Sequence, residues 1–240
     1  MSFDGLFLNR ILKEIYFLKT GRISKILESG DTDFILTIRA NRENYNLMLS
    51  FSSEYSRIHI TKKAYDSISN PKSFTMFLRK HIEGYFIEDI KQYENDRIII
   101  FELVGHNELE DLCKNKLICE IMGRYSNLIL TDENYRIIDS LKHDGVGEYN
   151  RTILPNALYE YPKSDKINPI GLNYQDIENI ANEKKLNTPK DYLNTFLGLS
   201  MHIIDNAFIN DNINKNLYDY INSDTLPIIF KNKKGKPDFY

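Results

Sequence analysis

Apolar residues recur at Leu8, Ile11, Leu12, Ile15 and Leu18, the spacing that lines one face of a helix. Asp4 stands just ahead of them, where a carboxylate accepts from the first unbonded N–H groups, and Gly21 is placed as the C-terminal stop. The pattern then switches to period two. Phe34, Leu36 and Ile38 alternate with Ile35, Thr37 and Arg39, and Tyr45, Leu47, Leu49 and Phe51 alternate with Asn46, Met48 and Ser50. Residues 41–44 read as the turn between these two strands, and 57–61 as a further short strand. Helical character returns over 72–82, with Gly84 ending it. Strands follow at 86–93, 97–104, 116–122, 127–131 and 136–142. One helix, strands, a second helix and more strands predict an α+β fold with an antiparallel β-sandwich and two helices. A doubly wound sheet would need helices alternating with strands.

Pro162-Lys163-Ser164-Asp165-Lys166-Ile167-Asn168-Pro169 is polar and bracketed by prolines, so a first domain is expected over 1–165. Residues 170–222 read as helical. Thr188-Pro189 starts a helix with proline at its first position, and that helix runs to Phe196. Leu197-Gly198-Leu199 then leads to Ser200, placed to cap a helix reaching Phe208. Two short helices around an apolar-Gly-apolar turn predict a helix-hairpin-helix domain. Residues 223–240 read as a strand segment returning to the first domain, cut short before its second strand is complete.

Composition narrows the function classes. Hydrophobic residues are 42% and charged residues 27%, as in a globular domain. With 31 basic against 34 acidic residues the net charge is -3. A protein that bound nucleic acid mainly by neutralising phosphates would be basic, so any RNA contact here must be local and shaped. Leu6 to Leu18 is interrupted by Arg10, Lys13 and Glu14, unlike a secretion signal, and no run approaches the ~18 apolar residues of a membrane span. Cys113 and Cys119, on one strand, would stand ~20 Å apart at ~3.3 Å per residue, so free thiols and a cytoplasmic location are expected. His59, His81, His106, His143 and His202 show no ligand spacing, and no zinc, phosphate-loop or nucleophile motif appears. No cofactor, no metal and no enzyme activity are expected.

The candidate residues each fit two roles. Asn95-Asp96 favours a turn, with Arg97 a solvated strand residue; alternatively a carboxylate and a guanidinium side by side read the edges of an unpaired nucleobase. Asp4 is a helix cap or a site residue. Arg79, Lys80 and His81 complement the end of a helix dipole or contact phosphates. Gly123 supplies a bend, and Arg124 is an RNA contact or a surface ion pair.

Four stretches occur in a fixed order: Met1-Ser2-Phe3-Asp4; Leu78-Arg79-Lys80-His81-Ile82-Glu83-Gly84; Asn95-Asp96-Arg97-Ile98; and Glu120-Ile121-Met122-Gly123-Arg124-Tyr125-Ser126-Asn127-Leu128-Ile129-Leu130. Together with Arg151-Thr152-Ile153-Leu154-Pro155 they resemble the N-terminal region of the NFACT family. These are the bacterial ribosome-quality-control factors of the RqcH type, also called fibronectin-binding protein A. The resemblance implies a first domain similar to the N-terminal domain of formamidopyrimidine DNA glycosylases, followed by a helix-hairpin-helix region. It implies binding to a large ribosomal subunit that holds peptidyl-tRNA, and recruitment of alanyl-tRNA for template-free alanine tailing. Asp4, Asp96 and Arg97 would be the tRNA-binding residues, with Arg79, Lys80, His81 and Arg124 as further RNA contacts.

Met201-His202-Ile203-Ile204 departs from the Pro-Leu-Leu-Ala-like run usual in the family, which leaves the hairpin without an assigned role. The family's long coiled coil and C-terminal RNA-binding domain do not appear in these residues, so the chain alone is expected not to sustain tailing. Two other classes compete. A DNA glycosylase would need an N-terminal Pro-Glu and a four-cysteine zinc finger, where this chain has Ser2-Phe3 and two cysteines. A fibronectin-binding surface adhesin would need export without a signal.

Overall fold

The first apolar stripe forms α1 (Gly5–Ile15), prolonged by a 3-10 turn at Tyr16–Leu18. The Phe7 N–H donates to Asp4 Oδ1 at 2.9 Å and the Leu8 N–H to the Asp4 carbonyl at 3.0 Å, so Asp4 caps this helix. The left-handed residue that ends the segment is Thr20, at φ +67°, and not the glycine after it. Gly21 is required for space: a Cβ there would stand 2.7 Å from Ile38 Cγ2. The computed structural model describes residues 3–66, 68–145, 151–210, 212–223, 229–231, 235 and 237–239.

Nine strands follow: β1 (Arg22–Gly30), β2 (Asp33–Ala40), β3 (Glu43–Ser50), β4 (Arg57–Thr61), β5 (Phe86–Gln92), β6 (Ile98–His106), β7 (Leu112–Glu120), β8 (Asn127–Asp132) and β9 (Ile137–Ser140). They form one antiparallel sheet in the order β4-β3-β2-β1-β5-β6-β7-β8-β9. The alternation had predicted the two sheets of a sandwich; hydrogen bonding joins both halves into one. The joint is β1, which the pattern does not reveal. Irregular register at Ile23/Lys25 and at Glu28/Gly30 breaks its inside-outside alternation. Its start pairs with the other half through Arg22 opposite Phe86, with the Ile23 N–H donating to the Tyr85 carbonyl and the Gly84 N–H to the Ile23 carbonyl. Between β2 and β3 the turn is only Asn41-Arg42, at φ +48° and +68°, the signs a two-residue hairpin demands.

Helix α2 (Ser73–Ile82) lies between β4 and β5 in sequence and is held to β1 by polar bonds. The buried Glu28 carboxylate accepts from the Lys72 N–H at 2.8 Å and the Thr75 hydroxyl at 2.6 Å, at the helix N-terminus where negative charge is favoured. Further along, Arg79 Nε donates to the Ile26 carbonyl and Glu83 Oε2 accepts from the Ile26 N–H. These two side chains satisfy the strand edge where no strand pairs with it.

Beyond the sheet come α3 (Tyr174–Glu183), α4 (Pro189–Thr195), α5 (Met201–Ala207) and α6 (Ile213–Asn222). Capping boxes open α3, through Asn173 and Asp176, and α4, through Thr188 and Asp191 with Pro189 behind. Ser200 stands at the N-cap of α5 as expected, but its hydroxyl makes no capping bond and is buried without a partner among the described residues. Strands β10 (Ile229–Lys231) and β11 (Pro237–Phe239) pair antiparallel with each other.

The chain forms two compact units that interleave in sequence, where consecutive segments of 1–165, 170–222 and 223–240 had been expected. One comprises Arg10–Tyr93 and Ile98–Lys163; the other comprises Met1–Asn9, Glu94–Arg97 and Ser164–Tyr240. The sheet unit buries Ile98, Ile100, Ile118, Ile129 and Ile137 with Tyr159, and separately Leu27, Ile35 and Met48. The helical unit buries Leu6 from α1 among Ile177, Tyr192, Phe196, Ile203, Ile204 and Leu217. Leu6 therefore belongs to a core whose other members lie 170 or more positions along the sequence.

Candidate nucleic-acid interface

Within the helical unit three distant segments meet at backbone distance. A Cβ on Gly5 would stand 1.8 Å from the Asn95 carbonyl oxygen, and one on Gly198 would stand 1.9 Å from the same atom. Gly198 also has φ +71°, and its carbonyl accepts from the Gly5 N–H at 3.0 Å and the Leu6 N–H at 3.3 Å. The first donors of α1 are therefore all occupied, by Gly198 and Asp4, and that helix end is closed to an anion.

Asn95 is the hub of this junction. It is fully buried, its Nδ2 donates to the Leu197 carbonyl at 2.9 Å, and its Oδ1 has no partner among the described residues. An unmet buried acceptor costs about 1–3 kcal/mol, so this turn is held at some expense. Glu94, at φ +48°, brings the chain into the bend. Asp96 Oδ1 then accepts from the Arg97 N–H at 2.7 Å. Both residues are half-buried. The Arg97 guanidinium makes no hydrogen bond or ion pair with the described residues.

Structure thus brings Asp4 and the Asp96-Arg97 pair to one junction, through their neighbours Gly5 and Asn95. Their exposure differs: Asp4 is 5% exposed and engaged as a cap. The sequence points to Asp4, Asp96 and Arg97 as site residues and gives Asn95 and Gly198 only turn roles, while Gly5, which holds them with these two, carries no signal. A signal existed in Gly198, set between two leucines ahead of a helix, but the need for Gly5 is visible only once Asn95 lies against it.

The remaining candidates are placed in the sheet unit. Arg79 is committed to the Ile26 carbonyl, with Nη1 3.6 Å from Met76 Sδ. His81 bonds the Phe77 carbonyl through Nδ1 at 2.8 Å and packs on the Phe77 ring at 4.0 Å. Lys80 is exposed and 3.4 Å from Glu108 Oε2. Arg124 is exposed and lies 4.5 Å over the Tyr125 ring, while Gly123 adopts φ +60° as the expected bend. The conspicuous strand ending in Glu120 has an interior purpose. Arg151 grips both Glu120 oxygens at 2.7 and 2.8 Å, and the Tyr159 hydroxyl donates to Oε1 at 2.8 Å. Burial, with Glu120 beside it, pushes the Tyr159 phenol well above its usual range. Cys113 and Cys119 are free thiols on β7.

Comparison with known proteins is consistent along the whole chain. The model of the NFACT N-terminal and middle domains matches residues 4–232. A protein of Bacillus subtilis (strain 168) named Rqc2 homolog RqcH is 44% identical over 206 residues, covering 83% of this chain and 36% of that protein. The Streptococcus pneumoniae (strain ATCC BAA-255 / R6) protein of that name is 32% identical over 253 residues, covering 99% of this chain and 46% of its own length. The chain therefore spans less than half the length of these relatives. Among solved structures, the fibrinogen binding protein of Staphylococcus aureus superposes with a TM-score of 0.88 at 33% identity, covering 100% of this chain and 90% of that one. The N-terminal part of the fibronectin/fibrinogen-binding protein of Streptococcus suis gives 0.85 at 34% identity, covering 97% and 88%.

Proposed function

This chain belongs to the NFACT family, and we propose that it is the tRNA-reading part of a ribosome-quality-control factor. In this reading the protein binds a large ribosomal subunit that carries peptidyl-tRNA and recruits alanyl-tRNA for template-free alanine tailing. It does so in the cytoplasm as a binding protein without catalytic groups or cofactor of its own. The sheet unit corresponds to a domain similar to the N-terminal domain of formamidopyrimidine DNA glycosylases. Helices α4 and α5 with the Gly198 turn correspond to a helix-hairpin-helix.

The observation that carries the proposal is the Arg97 guanidinium, half-buried and uncommitted on a turn locked by Asn95. A rigid fork of donors fits the paired acceptors of an unpaired base or a phosphate, and fixing it in advance lowers the ordering cost of binding. Asp96 complements it by accepting from base amino groups. Asp4 serves by holding the first turn of α1 at the junction. Arg79 and His81, being bonded to backbone, are weaker RNA contacts than the exposed Lys80.

The test is a ribosome pull-down with sequencing of the associated tRNA, using full-length protein with Asp96→Ala or Arg97→Ala. Loss of alanyl-tRNA enrichment with retained subunit binding supports the assignment. Unchanged enrichment in both variants defeats it. The names of the structural neighbours favour fibronectin or fibrinogen binding as the second reading. Saturable binding of purified fibronectin that survives Arg97→Ala would support that alternative.

A further inference from the structure

On the sheet unit, far in sequence from the Asp96-Arg97 turn, two cations stand directly opposite each other. Arg22 on β1 pairs in register with Arg39 on β2, and both are exposed. Like charges in that arrangement destabilise a sheet unless something answers them. No carboxylate among the described residues does. Arg22 Nε donates to the Gly84 carbonyl at 3.0 Å, its terminal nitrogens make no hydrogen bond with the described residues, and Arg39 Nη1 lies 3.5 Å from Asn44 Oδ1. The neighbouring cations are treated differently: Lys91 is paired with Glu102 and Lys114 with Glu88.

Register continues the row. Arg22 stands opposite Phe86, a residue 49% exposed, and Phe86 stands opposite Val104. Residues directly opposite on adjacent strands project from the same face, with strands ~4.8 Å apart. Beside them lies a cavity of about 580 Å³ lined by Arg22, Phe86, Val104 and His106. The exposed imidazole of His106 makes no hydrogen bond with the described residues. Glu83 is the one carboxylate in its lining, and its Oε2 is held by the Ile26 N–H. An uncovered aromatic ring beside two unanswered guanidinium groups matches the two halves of a nucleotide.

We propose that this face holds an unpaired RNA nucleotide, its base stacked on Phe86 and its phosphate against Arg22 and Arg39. It is a second RNA contact, on the sheet unit, independent of the Asp96-Arg97 turn. The test is fluorescence anisotropy of a labelled single-stranded oligoadenylate with the 240-residue chain, at several salt concentrations. Phe86→Leu should weaken binding roughly tenfold, the worth of one stacked base. Arg22→Gln with Arg39→Gln should weaken it comparably and flatten the salt slope by about 1.4, since each single-strand phosphate contact contributes about 0.7. Arg22→Lys, which keeps the charge, should retain most of the binding and guards against a folding artefact. Lys91→Gln, at a cation already paired with Glu102, should leave it unchanged. Absence of binding by the wild type overturns the proposal. So does binding that Phe86→Leu leaves intact, which marks general polyanion attraction, or binding that Arg97→Ala abolishes while the face variants do not.

Discussion

Arg151 and Arg97 show two opposite uses of the same side chain. In the sheet unit Arg151 is nearly sealed, its side chain 8% exposed against 1% for Glu120, with both carboxylate oxygens and the Tyr159 hydroxyl satisfied. In the helical unit the effort goes into the backbone. Gly5, Asn95 and Gly198 are pressed together, and the arginine they support is left uncommitted. A buried arginine with all its partners stabilises a fold and has nothing left to offer a ligand. An arginine displayed on a rigid turn contributes little to stability and keeps its full hydrogen-bonding capacity. Chemistry-bearing residues are therefore better sorted by what already bonds them than by their type.

The contrast can be broken at several points. Arg151→Ala should have the largest effect, about 3–5 kcal/mol of stability lost in urea unfolding, because Glu120 remains buried without a partner. Replacing both with apolar residues, Arg151→Met with Glu120→Leu, should recover much of that loss. Next comes Gly198→Ala, which puts a methyl against the Asn95 carbonyl and a side chain at φ +71°. A loss of about 2–3 kcal/mol is expected by thermal unfolding, with tRNA enrichment reduced as the turn shifts. Arg97→Ala should change stability by less than about 0.5 kcal/mol while abolishing that enrichment, a separation of effects that Arg151 does not allow.

The smallest effect concerns acid. The Asp191 carboxyl in the α4 capping box is held below its usual value of 3.8, first by the Thr188 hydroxyl and then by the N–H groups of Asn187 and Thr188. A lowered folded pKa gives stability that is complete above the unfolded value and fades as pH falls through the folded one. Asp191→Asn should therefore flatten the stability profile of the helical unit only below about pH 4, as followed by circular dichroism.

Much of the architecture was legible along the chain. Period-two runs marked most strands because half-buried strands must alternate, and β4 falls on 57–61 as expected. Asp4, Thr188-Pro189, Gly84 and Gly123 showed their local roles, since caps and left-handed turns are solved within a few residues. Strand β1 was invisible because its bulges scramble the alternation. Ser200 misled because a residue suited to capping is used only if the chain aims it at the helix.

What the sequence determined by itself is most of the local elements and the family, because periodicity, turn chemistry and motif order are properties of neighbours. What only the tertiary structure decided is which charges are free. Arg79 is occupied by Ile26, 53 positions away, Arg151 by Glu120, and Asn95 by Leu197, 102 positions away. Arg97 and the Arg22-Arg39 pair keep their capacity because no carboxylate among the described residues forms an ion pair with them. Such partners are set by long-range packing, which no local pattern encodes.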